Sequence, residues 1–279
     1  MKYSFSGHES FTCKTLWLKK GYDFMNEQND FNDPQSVVVL GVGKNMVAAI
    51  RYWMKAFGMS ENDKLTWIAH YLLDSDTGKD PYIESLGSLW LLHYLLVSSE
   101  EATIYNWVFV RLQRERSLFD RPQAIQFVHR MFIEDNKQNA YNENTIKKDL
   151  GVMLQSYVLP IRKDKSLDDY NALLIDLDLI RTTDGKSYRF NIEGKRQIPW
   201  QIFLYALIHE AKGEKTLSYD LLQQLGLMFC MNDLEVIEMC QLIETSYPYN
   251  VRYSDTAGIK QIQFINELTE KEVLDNYYE

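Results

Sequence analysis

The chain is poor in cysteine. Cys13, Cys230 and Cys240 are the only three in 279 residues, and none stands in a CxxC pair. That excludes a zinc finger and a disulfide framework as the basis of the fold, and it suits a reducing compartment such as the cytosol. Proline (6) and glycine (13) are also sparse, so low-complexity linkers find little support. Long apolar runs are missing. The longest, Leu86 to Val97, contains His93 and falls short of the ~18 apolar residues of a membrane span. The opening residues, Met1 to Ser6, carry no apolar core of a secretory signal. The expectation is a cytoplasmic protein with no membrane partner. Positive charge is in deficit as well, with 30 Lys and Arg against 39 Asp and Glu and a net charge of −9. Non-specific coating of nucleic acid draws its affinity from phosphate neutralisation, so a histone-like role is excluded. A local basic face on an acidic body is not excluded. GxGxxG, GxSxG and HExxH are absent, and Gly41-Val42-Gly43-Lys44 lacks the span and following hydroxyl of a Walker A loop.

What is present is apolar sequence with helical spacing. Hydrophobic residues make up 46% and charged residues 25%, the composition of a packed globular chain. At roughly 100–200 residues per domain, the length suggests two domains. The reading is mainly α, built of winged-helix or helix-turn-helix-like units with short β-hairpins. Residues 1–120 are read as a helical domain with a helix-turn-helix, and residues 121–279 as a helical domain with winged-helix-like units. The most legible stretch begins at Asp33-Pro34, a cap and first-turn pair. Gln35–Leu40 follows, a short helix or, by its three valines, a strand. After the turn at Gly41–Gly43 comes a helix from Lys44 to Phe57, closed by Gly58. Met46, Val47, Ile50, Trp53, Met54 and Phe57 form its apolar stripe, with Lys44, Ala48, Arg51 and Lys55 opposite. Asp80-Pro81 predicts another helix start by the same capping logic. Thr145–Tyr157 is amphipathic, with Lys147 and Lys148 off its apolar stripe, and Asp184-Gly185 predicts a hairpin by type I′ turn chemistry. Helices at 201–210, 219–225 and 233–245, then a hairpin across Asn250–Phe264, repeat the winged order.

Recognition helices place their first turn in the major groove. Asn45 is suited to pair with adenine, and Lys44 or Arg51 to reach guanine or phosphate. Lys55, Lys147 and Lys148 extend the candidate DNA-binding set; the alternative is a solvated basic face. His8 and Glu9 follow the flexible Gly7. A histidine and a carboxylate can activate water or hold a divalent metal, or instead bond to backbone and tie down the terminus. Asp74, Asp76, Asp80 and Glu84 form an acidic stretch that could hold Mg²⁺, or a solvated, capped turn. Arg111, Arg114, Arg116 and Arg121 could follow a phosphate backbone or form ion pairs.

FSGHESFTCKTLWLKKGYDF over 5–24 and LGVGKNMVAAIRYWMKAFGM over 40–59, with DPYIES over 80–85 and LWLLHYLL over 89–96, together resemble the SspB-type family of bacterial DNA phosphorothioation and defence islands. A looser match at TIKKDLGVMLQSYV extends the resemblance over most of the chain. The resemblance implies a DNA-binding protein that nicks DNA beside a cysteine desulfurase, an ATPase and an ATP-pyrophosphatase-like sulfur-transfer protein. The alternative is a non-catalytic DNA-binding adaptor or transcription regulator. His8 and Glu9 match the family's Gly-His-Glu stretch, which makes them the candidate catalytic pair. Cys13 stands where a basic residue is expected, which leaves phosphate binding there to Lys14. The metal ligands are unassigned, with Mg²⁺ or Mn²⁺ as the candidate ion.

Overall fold

Helices take up most of the chain in the computed structural model, which describes residues 3–160, 171–194, 197–256 and 258–279. Their starts follow local chemistry. Asp120 and Gln123 form a reciprocal capping box at the head of Arg121–Glu134, with Pro122 in its first turn, and Asn142 caps Glu143–Tyr157 through the Thr145 amide. Asn232 with Glu235 and Thr269 with Glu272 form capping boxes for Asp233–Ser246 and Glu270–Tyr278. The ambiguous valine run is the short helix Ser36–Leu40, which ends at Gly41 in the left-handed conformation before Lys44–Ala56 begins. No helix among the described residues is long and apolar enough to cross a membrane.

The chain divides into two units, residues 1–191 and 192–279. The boundary expected at 120/121 thus moves to 191/192. The reason is strand pairing: β3 (Leu118–Asp120) lies antiparallel to β5 (Ser187–Phe190), which pairs with β4 (Ile180–Thr182) on its other edge; here β1 and β2 are the short hairpin strands Ser60–Glu61 and Lys64–Leu65. The 180s hairpin is present, but four residues separate its strands rather than two. The Asp184 carboxylate accepts from the Lys186 and Ser187 amides, an Asx-type turn, and this replaces the I′ geometry.

In the first unit, Trp17–Asn26 packs on Lys44–Ala56, and Leu86–Ser98 is apolar all round and buried almost throughout. Trp53, Trp90 and Trp107 are each at most 1% exposed; burying a large apolar side chain contributes about 1.5–3 kcal/mol. The expected helix start at Asp80-Pro81 is displaced to Leu86. Asp80 is buried, and its carboxylate accepts from the Glu84 and Ser85 amides and the Ser88 hydroxyl, so it caps the helix from a distance through a folded-back turn.

In the second unit the order is Trp200–Ala211, β6 (Thr216–Ser218), Tyr219–Met228, Asp233–Ser246, the hairpin β7 (Val251–Thr256) and β8 (Ile259–Phe264), then Glu270–Tyr278. The sheet runs β6-β8-β7, all antiparallel. His209, in the last turn of the first helix, lies 2.9 Å from Glu270 at the start of the last. The hydrogen bond to Glu270 raises the imidazole pKa above its ordinary value against the opposing effect of burial. Such a group stabilises the fold fully below the unfolded value of about 6.5, and the contribution fades as pH rises through the folded value. The His209 side chain is 42% exposed, so the effect is small. Melting temperatures measured across this window are expected to fall slightly with rising pH, and His209→Gln is expected to remove that slope.

Candidate functional site

The N-terminal loop is built around a buried histidine. Ser6, Gly7, Glu9 and Ser10 all have positive φ, a conformation that costs an L-residue energy and persists only where the surroundings enforce it. The enforcement is visible. His8 is 3% exposed, and its Nε2 lies 3.0 Å from Asp149 Oδ1. The Ser10 amide donates to Nδ1 at 3.0 Å. That bond makes Nδ1 the acceptor and leaves Nε2 to carry the hydrogen donated to Asp149. The Ser6 amide donates to both Asp149 oxygens, at 3.0 and 2.9 Å. Gly7 packs against Tyr52 so closely that a Cβ there would meet the ring at 2.6 Å. His8 and Glu9 therefore diverge, one buried against Asp149 and the other exposed. Both ring nitrogens of His8 are occupied, which suits a lock on the loop.

Past the lock, the chain lines a cleft of about 710 Å³ within the first unit. Ser10, Phe11, Thr12 and Lys14 form one wall, Met46 enters from the first turns of Lys44–Ala56, and Leu154, Gln155 and Val158 come from Glu143–Tyr157 and its end. The rim also includes Arg121, Tyr188 and the hairpin turn of Asp184 and Lys186. Arg121 donates from Nε to the Tyr188 hydroxyl at 3.3 Å, which orients the guanidinium. Asp184 directs its carboxylate to the amides of its own turn, and these bonds hold its pKa below the usual range. Among the described residues, Lys14, Arg121 and Lys186 thus stand around a mixed polar and apolar cleft whose acid, Asp184, is bonded to its own turn. Cys13 is buried, and burial pushes its thiol pKa well up despite the nearby Lys14, so it is an inert core residue.

The other sequence-predicted residues lie elsewhere. Lys44 and Asn45 are exposed in the first turn of the helix that sends Met46 to the cleft. Arg51 is forked onto Asp63 at 3.0 Å and also reaches Asn32; Lys55 is 3.3 Å from the same carboxylate. Asp63 is held there because Asn62 and Asp63 form the left-handed tip of the β1–β2 hairpin. Lys147 pairs with Glu143 one turn away, and Lys148 is exposed on the same helix. The acidic stretch does not converge. Asp74 accepts from the Tyr22 and Thr77 hydroxyls and from the Asp76 and Thr77 amides, which hold its pKa well below the usual carboxylate range. Asp80 is the distant cap described above. Arg111 lies over the Trp107 ring, and Arg116 faces a separate, smaller cleft with Glu115 and Arg130.

Two contributors were missed in the sequence. Lys186 sits in a turn whose chemistry drew attention to Asp184-Gly185 alone. Asp149 carried a legible signal: it lies three residues after Ile146 and four before Met153, inside the apolar stripe, and a carboxylate there needs a partner.

Comparison with known proteins gives a consistent picture. The profile of a family described as "Protein of unknown function (DUF4007)" matches residues 5–278. Among curated proteins none matches. A solved structure of magnesium-ion-bound SspB aligns with a TM-score of 0.84 at 26% identity, covering 99% of this chain and 88% of that one. A second SspB crystal structure aligns at 0.83 and 27% identity with the same coverage. Among the described residues, no three His, Cys, Asp or Glu side chains come together as a set that could hold a metal ion. No chemical step is therefore assigned to magnesium in this chain.

Proposed function

The chain belongs to the DUF4007 family, and we propose that it is a DNA-binding protein of a bacterial DNA phosphorothioation and phage-defence system. The observation that carries this reading is its similarity to SspB over 99% of its length. Exchanging a non-bridging phosphate oxygen for sulfur requires access to the DNA backbone, so a component that holds phosphates is chemically apt. In this reading the backbone lies along Lys14, Arg121 and Lys186, with Lys44 and Asn45 reaching toward base edges from the adjacent helix. Arg51 and Lys55 would first have to leave Asp63, so they serve the hairpin before the DNA. Phosphate contacts position and base contacts specify. The second unit, with its helix–strand–helix–helix–hairpin order, is proposed as a winged-helix module. The sulfur-transfer protein and the ATPase of the same system are the proposed protein partners.

Nicking is the finer question. His8 and Glu9 are the residues proposed for it, in company with Lys14. A specific observation favours the non-catalytic adaptor: the Ser10 amide and the Asp149 carboxylate occupy both nitrogens of His8, which is buried. Incubation of the purified chain with supercoiled plasmid, with and without Mg²⁺ or Mn²⁺, separates the readings. Open-circular product that disappears in Glu9→Gln, with binding intact, supports nicking. Binding without product supports the adaptor, and no binding at low salt rejects both.

A further inference from the structure

The second unit has an electrostatic character of its own. Residues 192–279 hold 14 Asp and Glu against 7 Lys and Arg, so most of the chain's net charge of −9 resides there. Its Asp233–Ser246 helix contains Asp233, Glu235, Glu238 and Glu244 and no lysine or arginine. Val236, Met239, Cys240 and Ile243 are buried beneath it. The opposite face does not revert to a purely polar surface. Leu234 is 63% exposed and Leu242 47%. Together with Glu238, Gln241 and Thr245 they fall within one ~100° arc of the helix. The acids Asp233 and Glu235 flank the arc on either side. Glu235 closes the capping box with Asn232, and Asp233 accepts from Gln223 of the preceding helix.

A helix in this position of a helix–strand–helix–helix–hairpin unit is the one that would enter a DNA groove. This one presents carboxylates where a phosphate-facing helix needs lysine and arginine, and DNA would be repelled from it. Exposed leucines set among charge of one sign suit a protein-docking face. We propose that the exposed face of Asp233–Ser246 docks a basic amphipathic segment of a partner protein, apolar side chains seated on Leu234 and Leu242 and lysines or arginines set against Glu238 and its neighbours. Charge complementarity selects that occupant over DNA, and over a second copy of the same acidic face. The inference is independent of DNA binding at the first unit.

The test uses the full chain and a fluorescein-labelled helical peptide of lysine and leucine in amphipathic order, read by anisotropy. A peptide of the same composition in scrambled order controls for bulk charge attraction. The amphipathic peptide is expected to bind, and the scrambled one at least about tenfold more weakly. Leu234→Ala with Leu242→Ala, and separately Glu238→Lys, should each weaken amphipathic binding on the order of tenfold, the scale of removing one interface anchor. Both leucines are exposed, so the melting temperature should stay put. Equal binding of the two peptides, or indifference to the variants, overturns the proposal. So does loss of duplex-DNA binding in the leucine variant, which would make the face a DNA surface. A dimer in sedimentation that this variant dissociates would make the occupant a second copy and would equally overturn it.

Discussion

Asp149→Ala is expected to destabilise the chain by about 3 kcal/mol, because it strips the acceptor from two donors at once. The His8 Nε2–H and the Ser6 amide both end on that carboxylate. A buried donor left without a partner costs about 1–3 kcal/mol, and the four positive-φ residues around His8 lose the bond that holds them. His8→Ala should cost as much or more, about 3–5 kcal/mol, since it leaves a carboxylate that is 3% exposed with the Ser6 amide as its remaining donor in this loop. Asp149→Asn retains an acceptor oxygen and should cost less than either. The double variant His8→Ala with Asp149→Ala should fall well short of the sum of the singles, as expected of partners in one bond. Urea midpoints at constant m-value give all four numbers. A change under about 0.5 kcal/mol in Asp149→Ala would show that the loop is held by something else. If His8→Ala abolished plasmid nicking while stability stayed intact, chemistry rather than anchoring would be the residue's role.

The second large effect is electrostatic. Removing Lys14, Arg121 and Lys186 together, each as alanine, should weaken duplex-DNA binding and flatten its salt dependence. Every phosphate that the protein ceases to neutralise takes roughly 0.9 off the slope of log K against log salt, so three of them take off about 2.7. Arg121 and Lys186 are exposed and Lys14 is half-buried, so melting curves of the triple variant are recorded alongside to separate lost binding from lost stability. The comparison variant Lys147→Ala with Lys148→Ala changes exposed charges outside the cleft and should leave most of the slope in place. If the two variants proved equal, binding would follow net charge and the cleft would have no special part.

The helices were readable because caps and periodicity are local. Asp120-Arg121-Pro122-Gln123 and Asn232-Asp233-Leu234-Glu235 state their starts within four residues. The first-unit sheet was not readable. Strand β3 has three residues beside an arginine-rich turn and finds its partner almost seventy positions later, and nothing in a short window announces such a pairing. The domain boundary was misplaced for the same reason. Asp80-Pro81 was misread because a proline-bearing turn and a helix start share their chemistry; the carboxylate caps, but from inside a turn six residues ahead of the helix. At the proposed site, the Lys44 helix was named from charge and spacing, and Lys14 from the family resemblance. Arg121 was seen only as a member of an arginine cluster. Asp149 stands inside an apolar stripe, a position that signals the need for a partner without saying that the partner is His8.

The location of bound DNA is the point on which the account turns. A photoreactive benzophenone side chain can be set in place of Gln155, exposed on the cleft rim, or in place of Gln241, exposed on the acidic helix of the second unit. With duplex DNA at low salt, irradiation is expected to give a covalent protein–DNA adduct from position 155 and none from position 241. An adduct from position 241 alone, or from neither position while DNA is demonstrably bound, would contradict the assignment of DNA to the Lys14–Arg121–Lys186 cleft.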